Sequence, residues 1–183
     1  VRDLTVLDRG SPIVDDVSFD VRAGEIFVIA GVSGNGQTEL VEALTGLRTP
    51  SAGTILLAGE DITRTPPAGL FERGLAFVPE DRQRQGLVGT FPLRDNLVLN
   101  QWTKRPFARG IRIDRVAVRR HAEELVEQFD IRTPSVDVPV ETLSGGNQQK
   151  VVIAREFSKG GTLLVMSQPT RGLDVGSIHY IHT

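Results

Sequence analysis

The feature that most constrains the fold is a glycine-rich segment, residues 31–36, set between an apolar run and an amphipathic segment. The apolar run, residues 26–30, has the composition of a strand buried on both faces of a parallel sheet. Residues 38–47 carry their apolar side chains at helical spacing. Strand, glycine loop and helix in this order predict an α/β fold with a mostly parallel sheet. They also predict an anion site where the loop meets the helix N-terminus.

This loop occupies the pattern G-x-x-x-x-G-K-[ST], in which glycines let backbone N–H groups approach phosphate oxygens. Thr38 supplies the hydroxyl that such loops place on Mg²⁺. Gln37 stands at the lysine position, so a charge-assisted bond worth ~1.5–3 kcal/mol is missing. The candidate phosphate-binding residues are Gly31, Ser33, Gly34, Asn35, Gly36, Gln37 and Thr38. A glycine turn that binds no ligand stays open as the alternative for this segment taken alone.

Composition excludes several classes of function. The 183 residues carry a formal net charge of −2 and no Cys. Near-neutral charge argues against a dedicated nucleic-acid-binding protein. Absence of Cys excludes disulfides, Cys-based zinc sites, iron–sulfur clusters and thiol catalysis. No stretch approaches the ~20 apolar residues of a membrane helix, and we expect no N-terminal signal segment.

Before the glycine loop, alternating apolar residues predict strands, which we expect to form an antiparallel section. A short buried strand is predicted over residues 74–78. The following section is richer in Arg and Glu, and its apolar residues recur at helical spacing. This pattern predicts a helical insert at about residues 90–142. A helix to about Phe157 and a strand over residues 162–166 follow. We expect one domain over residues 1–183.

A second motif reads Leu-Ser-Gly-Gly-Asn-Gln-Gln-Lys, beginning at Leu143. Ser144 can cap the helix that follows, and the two glycines leave backbone N–H groups bare at its N-terminus. The segment resembles the LSGGQ signature of the ATP-binding cassette (ABC) ATPases. In that family it faces the γ-phosphate of ATP held by the other cassette of a dimer. The residues implied to contact a partner's ATP are Ser144, Gly145, Gly146 and Gln148.

The run Ser-Gln-Pro-Thr-Arg-Gly-Leu-Asp resembles the family's D-E-P-T-x-x-L-D. Ser167 stands where the family has the aspartate that supports Mg²⁺, and Gln168 where it has the glutamate that polarises the attacking water. Leu173 and Asp174 keep the final pair, which the resemblance places at the dimer interface. Glu80, in Pro-Glu-Asp-Arg, stands where the family usually has a glutamine that senses Mg²⁺ and touches the transporter.

An ATPase site of this class needs a lysine on the phosphates, an acid behind the metal and an acid beside the water. Gln37, Ser167 and Gln168 occupy these places, and none is charged. We therefore expect no intact catalytic residue in this chain, weak binding of ATP and Mg²⁺, and hydrolysis in the partner's site rather than its own.

These departures together resemble the second, C-terminal cassette of tandem ATP-binding proteins from bacterial importers of simple sugars and nucleosides. The resemblance implies a peripheral protein at the cytoplasmic face of the membrane. Its implied partners are membrane permease subunits and another cassette, the N-terminal one of the same polypeptide, with no nucleic acid. Family members continue beyond the position of Thr183, so we expect a C-terminally truncated fragment. The solute stays open, because specificity lies in the permease and the receptor.

Two other functions stay open: a non-transport cassette ATPase, and a structural dimerisation module that binds no nucleotide. His179 and His182 could share a metal, although a plain helix face explains them better. Trp102 and Phe107, in the insert, fit either an exposed partner contact or core packing.

Overall fold

The computed structural model describes residues 1–32 and 34–171, which divide into two compact units. The first unit comprises Val1–Ala76 with Gly161–Val165, and the second comprises Phe77–Gly160 with the residues from Met166 onward. Some residues named above lie outside the described residues: Ser33, Leu173, Asp174, His179 and His182.

The first unit opens with a three-stranded antiparallel sheet in the order β2-β1-β3. Its strands are β1 (Arg2–Asp8), β2 (Ser11–Val17) and β3 (Ala52–Thr54). Leu4 pairs with Val17 and Val6 with Val14, and the side chains of Leu4 and Val6 are fully buried. The predicted antiparallel N-terminal section is confirmed, because alternating apolar residues here cover one face of a sheet.

The other elements of the first unit are α1 (Gln37–Leu44), the paired strands β4 (Leu56–Leu57) and β5 (Glu60–Asp61), and α2 (Pro67–Glu72). Helix α1 confirms the helix predicted after the glycine loop. It buries Leu40 and Ala43, which lie on one face. Of the apolar residues behind the prediction, Leu40 is buried, Val41 and Leu44 are half-buried, and Leu47 lies beyond the helix and is exposed.

The prediction of a buried strand over residues 26–30 is wrong for the described structure, in which this segment belongs to no strand. Its side chains alternate in exposure, with Ile26 and Val28 at 91% and 77% and Phe27 and Ile29 at 43% and 46%. In the described structure this segment has no strand partner. An apolar run indicates that a segment favours burial, but a strand also needs a neighbouring strand as its hydrogen-bonding partner. The sequence of residues 26–30 does not specify that partner.

The boundary between the units falls within β6 (Leu75–Val78) and within β9 (Leu163–Met166), which are neighbours in a two-stranded sheet. In the first unit the carbonyl of Gly74 accepts from the N–H of Thr162 at 2.8 Å. In the second, the carbonyl of Val78 accepts from the N–H of Ser167 at 2.9 Å. Partner positions rise along both strands, so this pair is parallel. Both strands were predicted from their apolar runs.

The second unit is mostly helical. After β6 it contains a short π-helix (Arg82–Gly86), α3 (Leu93–Asn96), the hairpin strands β7 (Ala108–Arg109) and β8 (Arg112–Ile113), α4 (Arg115–Gln128), a 3₁₀ turn (Val140–Thr142) and α5 (Gly145–Ser158). The helical insert and the helix after the second motif are confirmed. The β7–β8 hairpin was not predicted.

The insert has its own apolar core, in which Val98, Phe107 and Val118 pack together. Phe107 is 4% exposed and Trp102 is 50% exposed. The two aromatic residues therefore differ: Phe107 is core, and Trp102 presents its ring to solvent.

Within the described residues, no helix has the length and apolar character needed to cross a membrane.

Candidate functional site: a glycine loop and a signature helix

The glycine loop lies in the first unit and ends at the N-terminus of α1. Gly34 and Gly36 have φ values of +90° and +88°, in the left-handed region that favours glycine. A Cβ at Gly36 would also collide with the backbone carbonyl of Ile13. No side chain caps α1, so the backbone N–H groups of its first turn are left for other acceptors. This geometry suits a phosphate oxygen at the helix N-terminus.

Gln37 folds its amide back toward the start of the loop, where a Cβ on Gly31 would collide with Nε2 of Gln37. The residue at the lysine position therefore contributes an uncharged amide held close to the loop backbone. Within the described part of the loop and α1, the positive field for an anion comes from backbone N–H groups and the α1 dipole. Glu39, in the first turn of α1, opposes that field.

A cleft of about 650 Å³ opens beside this loop, a volume typical of small-molecule sites. Asn35, Gly36 and Gln37 line it on one side. The rings of Phe19 and Phe27 also line it, stacked with centroids 5.0 Å apart and planes 10° from parallel. The fold therefore places aromatic surface in this cleft through these two residues.

Thr38 is the residue predicted to meet Mg²⁺, and its side chain is exposed in the first turn of α1. Among the described residues, no three His, Cys, Asp or Glu side chains cluster so as to hold a metal ion. A magnesium ion on a nucleotide takes most of its ligands from phosphates and water. One protein hydroxyl beside a phosphate loop therefore fits such an ion without a protein cluster.

The signature segment lies in the second unit, at the N-terminus of α5. Ser144 is its N-cap, as predicted: its Oγ accepts from the backbone N–H of Asn147 at 3.4 Å and from Nδ2 of Asn147 at 3.0 Å. The serine side chain is exposed and Gly145 is half-buried. Gly146 is buried. This end of α5 therefore presents the Ser144 hydroxyl and the backbone at Gly145 at the surface of its unit, an arrangement suited to binding an external phosphate.

Gln148 is buried in the second unit. It is 4% exposed, and its Nε2 donates to the carbonyls of Val140, Glu141 and Leu143 at 3.4, 3.5 and 3.0 Å. In this structure Gln148 therefore holds the turn that leads into the signature. Its contact with a partner's ATP stays a prediction.

Lys150 is the basic residue within the second motif, and its ammonium bonds to Asp130. Its Nζ donates to the backbone carbonyl of Asp130 at 2.7 Å and to Oδ2 of Asp130 at 2.9 Å. The hydrogen bond and charge of Lys150 hold the pKa of the Asp130 carboxyl below its usual range. The ammonium therefore ties α5 to Asp130, which follows the end of α4.

Glu80 follows β6, and the structure gives it a partner that the sequence did not reveal. Nη1 of Arg171 forms an ion pair with Oε1 of Glu80, and Nη1 of Arg82 donates to the backbone carbonyl of Arg171 at 3.2 Å. Asp81 accepts from the N–H groups of Gln83 and Arg84 at 3.1 Å each, which caps the π-helix. The loop at Glu80 is thus tied to the turn that carries the third motif. Opposite charges in the two motifs were the available signal for this pairing.

Ser167 and Gln168 open that turn at the end of β9. The N–H of Ser167 bonds to Val78, and Gln168 is exposed with a left-handed φ of +45°. The carbonyl of Gln168 accepts from the N–H of Arg171 at 3.0 Å, which closes the turn. Neither side chain can act as a general base or carry charge to a metal, so this turn contains no catalytic acid.

Comparison with known proteins identifies the family. The family model described as ABC transporter matches residues 14–171, most of the chain. The chain belongs to the ABC transporter family.

Its curated relatives are named as import proteins. The chain is 48% identical over 183 residues to the nucleoside import ATP-binding protein NupA of Lactococcus lactis subsp. cremoris, covering 100% of this chain and 36% of that protein. It is 44% identical to the guanosine import ATP-binding protein NupO of Bacillus subtilis, covering 98% and 35%. It is 46% identical to the glucose import ATP-binding protein TsgD13 of Haloferax volcanii, covering 95% and 32%. The chain therefore spans about a third of the length of these relatives.

Solved structures of ABC cassettes share the fold. A nucleotide-free ATP-binding cassette from an ABC transporter superposes with a TM-score of 0.81 at 24% identity, over 98% of this chain and 72% of that one. The cassette MJ0796, a dimer in a post-hydrolysis state bound to ADP and Pi, also gives 0.81, at 21% identity over 98% and 78%. The ABC-type P-loop NTPase class is therefore confirmed.

Proposed function

We propose that this ABC cassette couples ATP use to the import of a simple sugar or nucleoside. Its own nucleotide site is degenerate, and its signature segment completes the site of a partner cassette. The partner is the N-terminal cassette of the same polypeptide, and the pair works on membrane permease subunits at the cytoplasmic face. The relatives named for nucleoside, guanosine and glucose import support this class of solute.

The observation that carries the proposal is a chemical asymmetry between the two motifs. Gln37, Ser167 and Gln168 are uncharged where an ATPase site needs a lysine and two acids. At the signature end of α5, Ser144 caps the helix and is exposed, and the motif has both of its glycines, Gly145 and Gly146. The chain can therefore donate hydrogen bonds to a phosphate more readily than it can activate water.

The glycine loop keeps its shape for a phosphate, so we expect weak nucleotide binding there. A general base typically contributes ~10²–10⁴-fold to a rate, and this chain offers none at the turn of Gln168. Magnesium, when bound with the nucleotide, would neutralise phosphate charge. Thr38 is the residue that would hold it, with the loop N–H groups orienting the phosphates.

The test is a pair of substitutions in the full-length protein assembled with its permease. Gly145→Arg puts a bulky side chain where a partner's phosphate must approach, and we expect ATP turnover and import to be abolished. Gln168→Ala removes a side chain that performs no acid–base chemistry, so turnover should change by less than about twofold, within ordinary surface effects. ATPase rates of both variants are compared after their folding and assembly are checked.

Each result is decisive for one part of the proposal. Equal loss in the two variants would show that this cassette's own site is catalytic. Full activity of Gly145→Arg would show that the partner's site does not use this segment.

A further inference from the structure

A buried ionic cluster on α5 is used by none of the motifs described so far. Arg155 and Glu156 have side chains only 6% and 4% exposed, and Lys159 is 7% exposed. Buried charges are costly, and apolar residues of similar volume often serve a core equally well. The hydrogen bonds that this cluster makes indicate a more specific role.

Glu156 holds the segment that leads into Glu80. Its Oε2 accepts from the backbone N–H of Phe77, in β6, at 3.1 Å, and also from Lys159. Its Oε1 accepts from Nε of Arg155 at 2.9 Å and from Nδ2 of Asn100 at 3.2 Å. Burial would raise the pKa of Glu156, but the charges of Arg155 and Lys159 outweigh it and leave the pKa lowered. The group is therefore an ionised, fully engaged acceptor.

Arg155 holds the other end of the same segment. Its Nη1 donates to the carbonyl of Gly86, the last residue of the π-helix, at 2.7 Å, and to the carbonyl of Asn96 at 3.2 Å. Asn96 is fully buried and bonds in turn to the backbone of Val88 in both directions, at 2.9 and 3.1 Å.

The space between α5 and the π-helix is tight. A Cβ on Gly86 would lie 3.1 Å from Cγ2 of Val152 on α5. Gln83 on the π-helix donates from Nε2 to Oε1 of Gln148 at 3.4 Å. Helix α5, whose N-terminus is the signature, therefore hydrogen-bonds to both ends of the segment from Phe77 to Gly86 and to Gln83 between them.

We propose that Arg155 and Glu156 are positioning residues. They hold the Glu80 segment, Phe77 to Gly86, in a fixed position relative to the signature end of α5. Displacement of the Glu80 segment then moves α5, and displacement of the signature moves the Glu80 segment. The proposal rests on the function proposed above, because it assigns coupling to two parts of that site. Neither residue touches a nucleotide.

The primary test uses Arg155→Lys and Glu156→Gln in the full-length protein assembled with its permease. Lysine keeps the charge but has one donor nitrogen, so it cannot bond Glu156 from one nitrogen while a second nitrogen bonds the carbonyls of Gly86 and Asn96. Glutamine keeps an oxygen for the N–H of Phe77 without the charge. The matched control is Arg120→Lys on α4, whose side chain is 72% exposed. Amide hydrogen exchange of residues 77–88 is measured together with the ratio of solute-stimulated to basal ATP turnover and with MgATP affinity.

We expect exchange of the amides from Phe77 to Gly86 to rise by about tenfold, the equivalent of one lost hydrogen bond. Amides of α1 and the MgATP affinity should stay unchanged, and the stimulation ratio should fall toward one. The control should match the wild type. Unchanged local exchange, or a rise spread evenly over the chain, would overturn the proposal and leave the cluster as ordinary core.

A triple variant, Arg155→Met, Glu156→Leu and Lys159→Met, separates positioning from stability, because Lys159 also pairs with Glu156. Replacing every member of a buried ionic cluster by apolar residues of similar volume is often neutral or stabilising. We expect a near wild-type unfolding midpoint, with the ratio of solute-stimulated to basal ATP turnover still close to one. A wild-type value of that ratio would refute the proposal. If the wild-type assembly hydrolyses no ATP, the proposed function fails, while the exchange measurement still tests whether the pair holds the segment.

Discussion

Gln37 is the residue at which the glycine loop departs most from the pattern that it otherwise follows. The sequence alone identified the missing charge, because residue type at a fixed motif position is a local property. The direction of the side chain could not be read from sequence. The fold turns the amide back toward Gly31.

Substituting Gln37→Lys should tighten nucleotide binding by roughly one to two orders of magnitude, the worth of one charge-assisted hydrogen bond. Calorimetric titration of the purified chain with MgATP measures the change. Gln37→Glu, which brings the wrong charge to the same position, is the matched control and should weaken binding. Identical affinities for wild type and Gln37→Lys would indicate that the loop is not shaped for phosphate, which favours a purely structural module.

The contacts of Arg171 and Phe27 could not be predicted from the sequence. The ion pair between Arg171 and Glu80 joins two motifs that are distant in sequence, and the stacking of Phe27 on Phe19 depends on the path of residues 26–30. Both contacts are tertiary. No pattern within either motif specifies the partner, although each residue type could be recognised as one able to make such a contact.

At the scale of elements, α1, α4 and α5 were predictable because apolar spacing is a local signal, to which α5 adds the capping residue Ser144. The segment at residues 26–30 was not, because its sequence could not say whether a neighbouring strand would pair with it. The β7–β8 hairpin was also missed. Its strands have two residues each, too few for an alternating pattern.

Two helix caps allow stability to be separated from function. Ser144 caps α5, and Asp114 caps α4 by accepting from the N–H of Ala117 at 3.0 Å. Ser144→Ala and Asp114→Ala should each lower the free energy of unfolding by about 1 kcal/mol, since each leaves one helical donor without its acceptor. Chemical denaturation of the purified chain measures both losses.

Only Ser144→Ala should also reduce ATP turnover in the assembled transporter, because only that hydroxyl lies at the signature. A parallel loss of turnover in Asp114→Ala would mean that activity simply follows stability. An unchanged turnover in Ser144→Ala would remove the serine hydroxyl from the proposed partner site and leave the backbone N–H groups as its donors.

At the scale of the whole molecule, the chain combines a loop shaped for phosphate with a turn that has no acid. Taken by itself, it should bind MgATP or ADP weakly and show negligible turnover. The physical reason is that binding draws on backbone N–H groups and the α1 dipole, which are present, whereas hydrolysis also needs a base beside the water. Calorimetry and a phosphate-release assay on the purified chain measure the two properties separately.

The same measurement distinguishes the remaining alternatives. Robust hydrolysis by the purified chain would contradict a degenerate site and favour a self-sufficient cassette ATPase. Complete absence of binding, even at millimolar nucleotide, would favour a structural dimerisation module. The triple variant Gln37→Lys, Ser167→Asp, Gln168→Glu supplies the positive control, because it restores each missing charge on the existing backbone. Some turnover by this variant, once paired with a cassette that provides a signature, would show that charge is what the native site lacks.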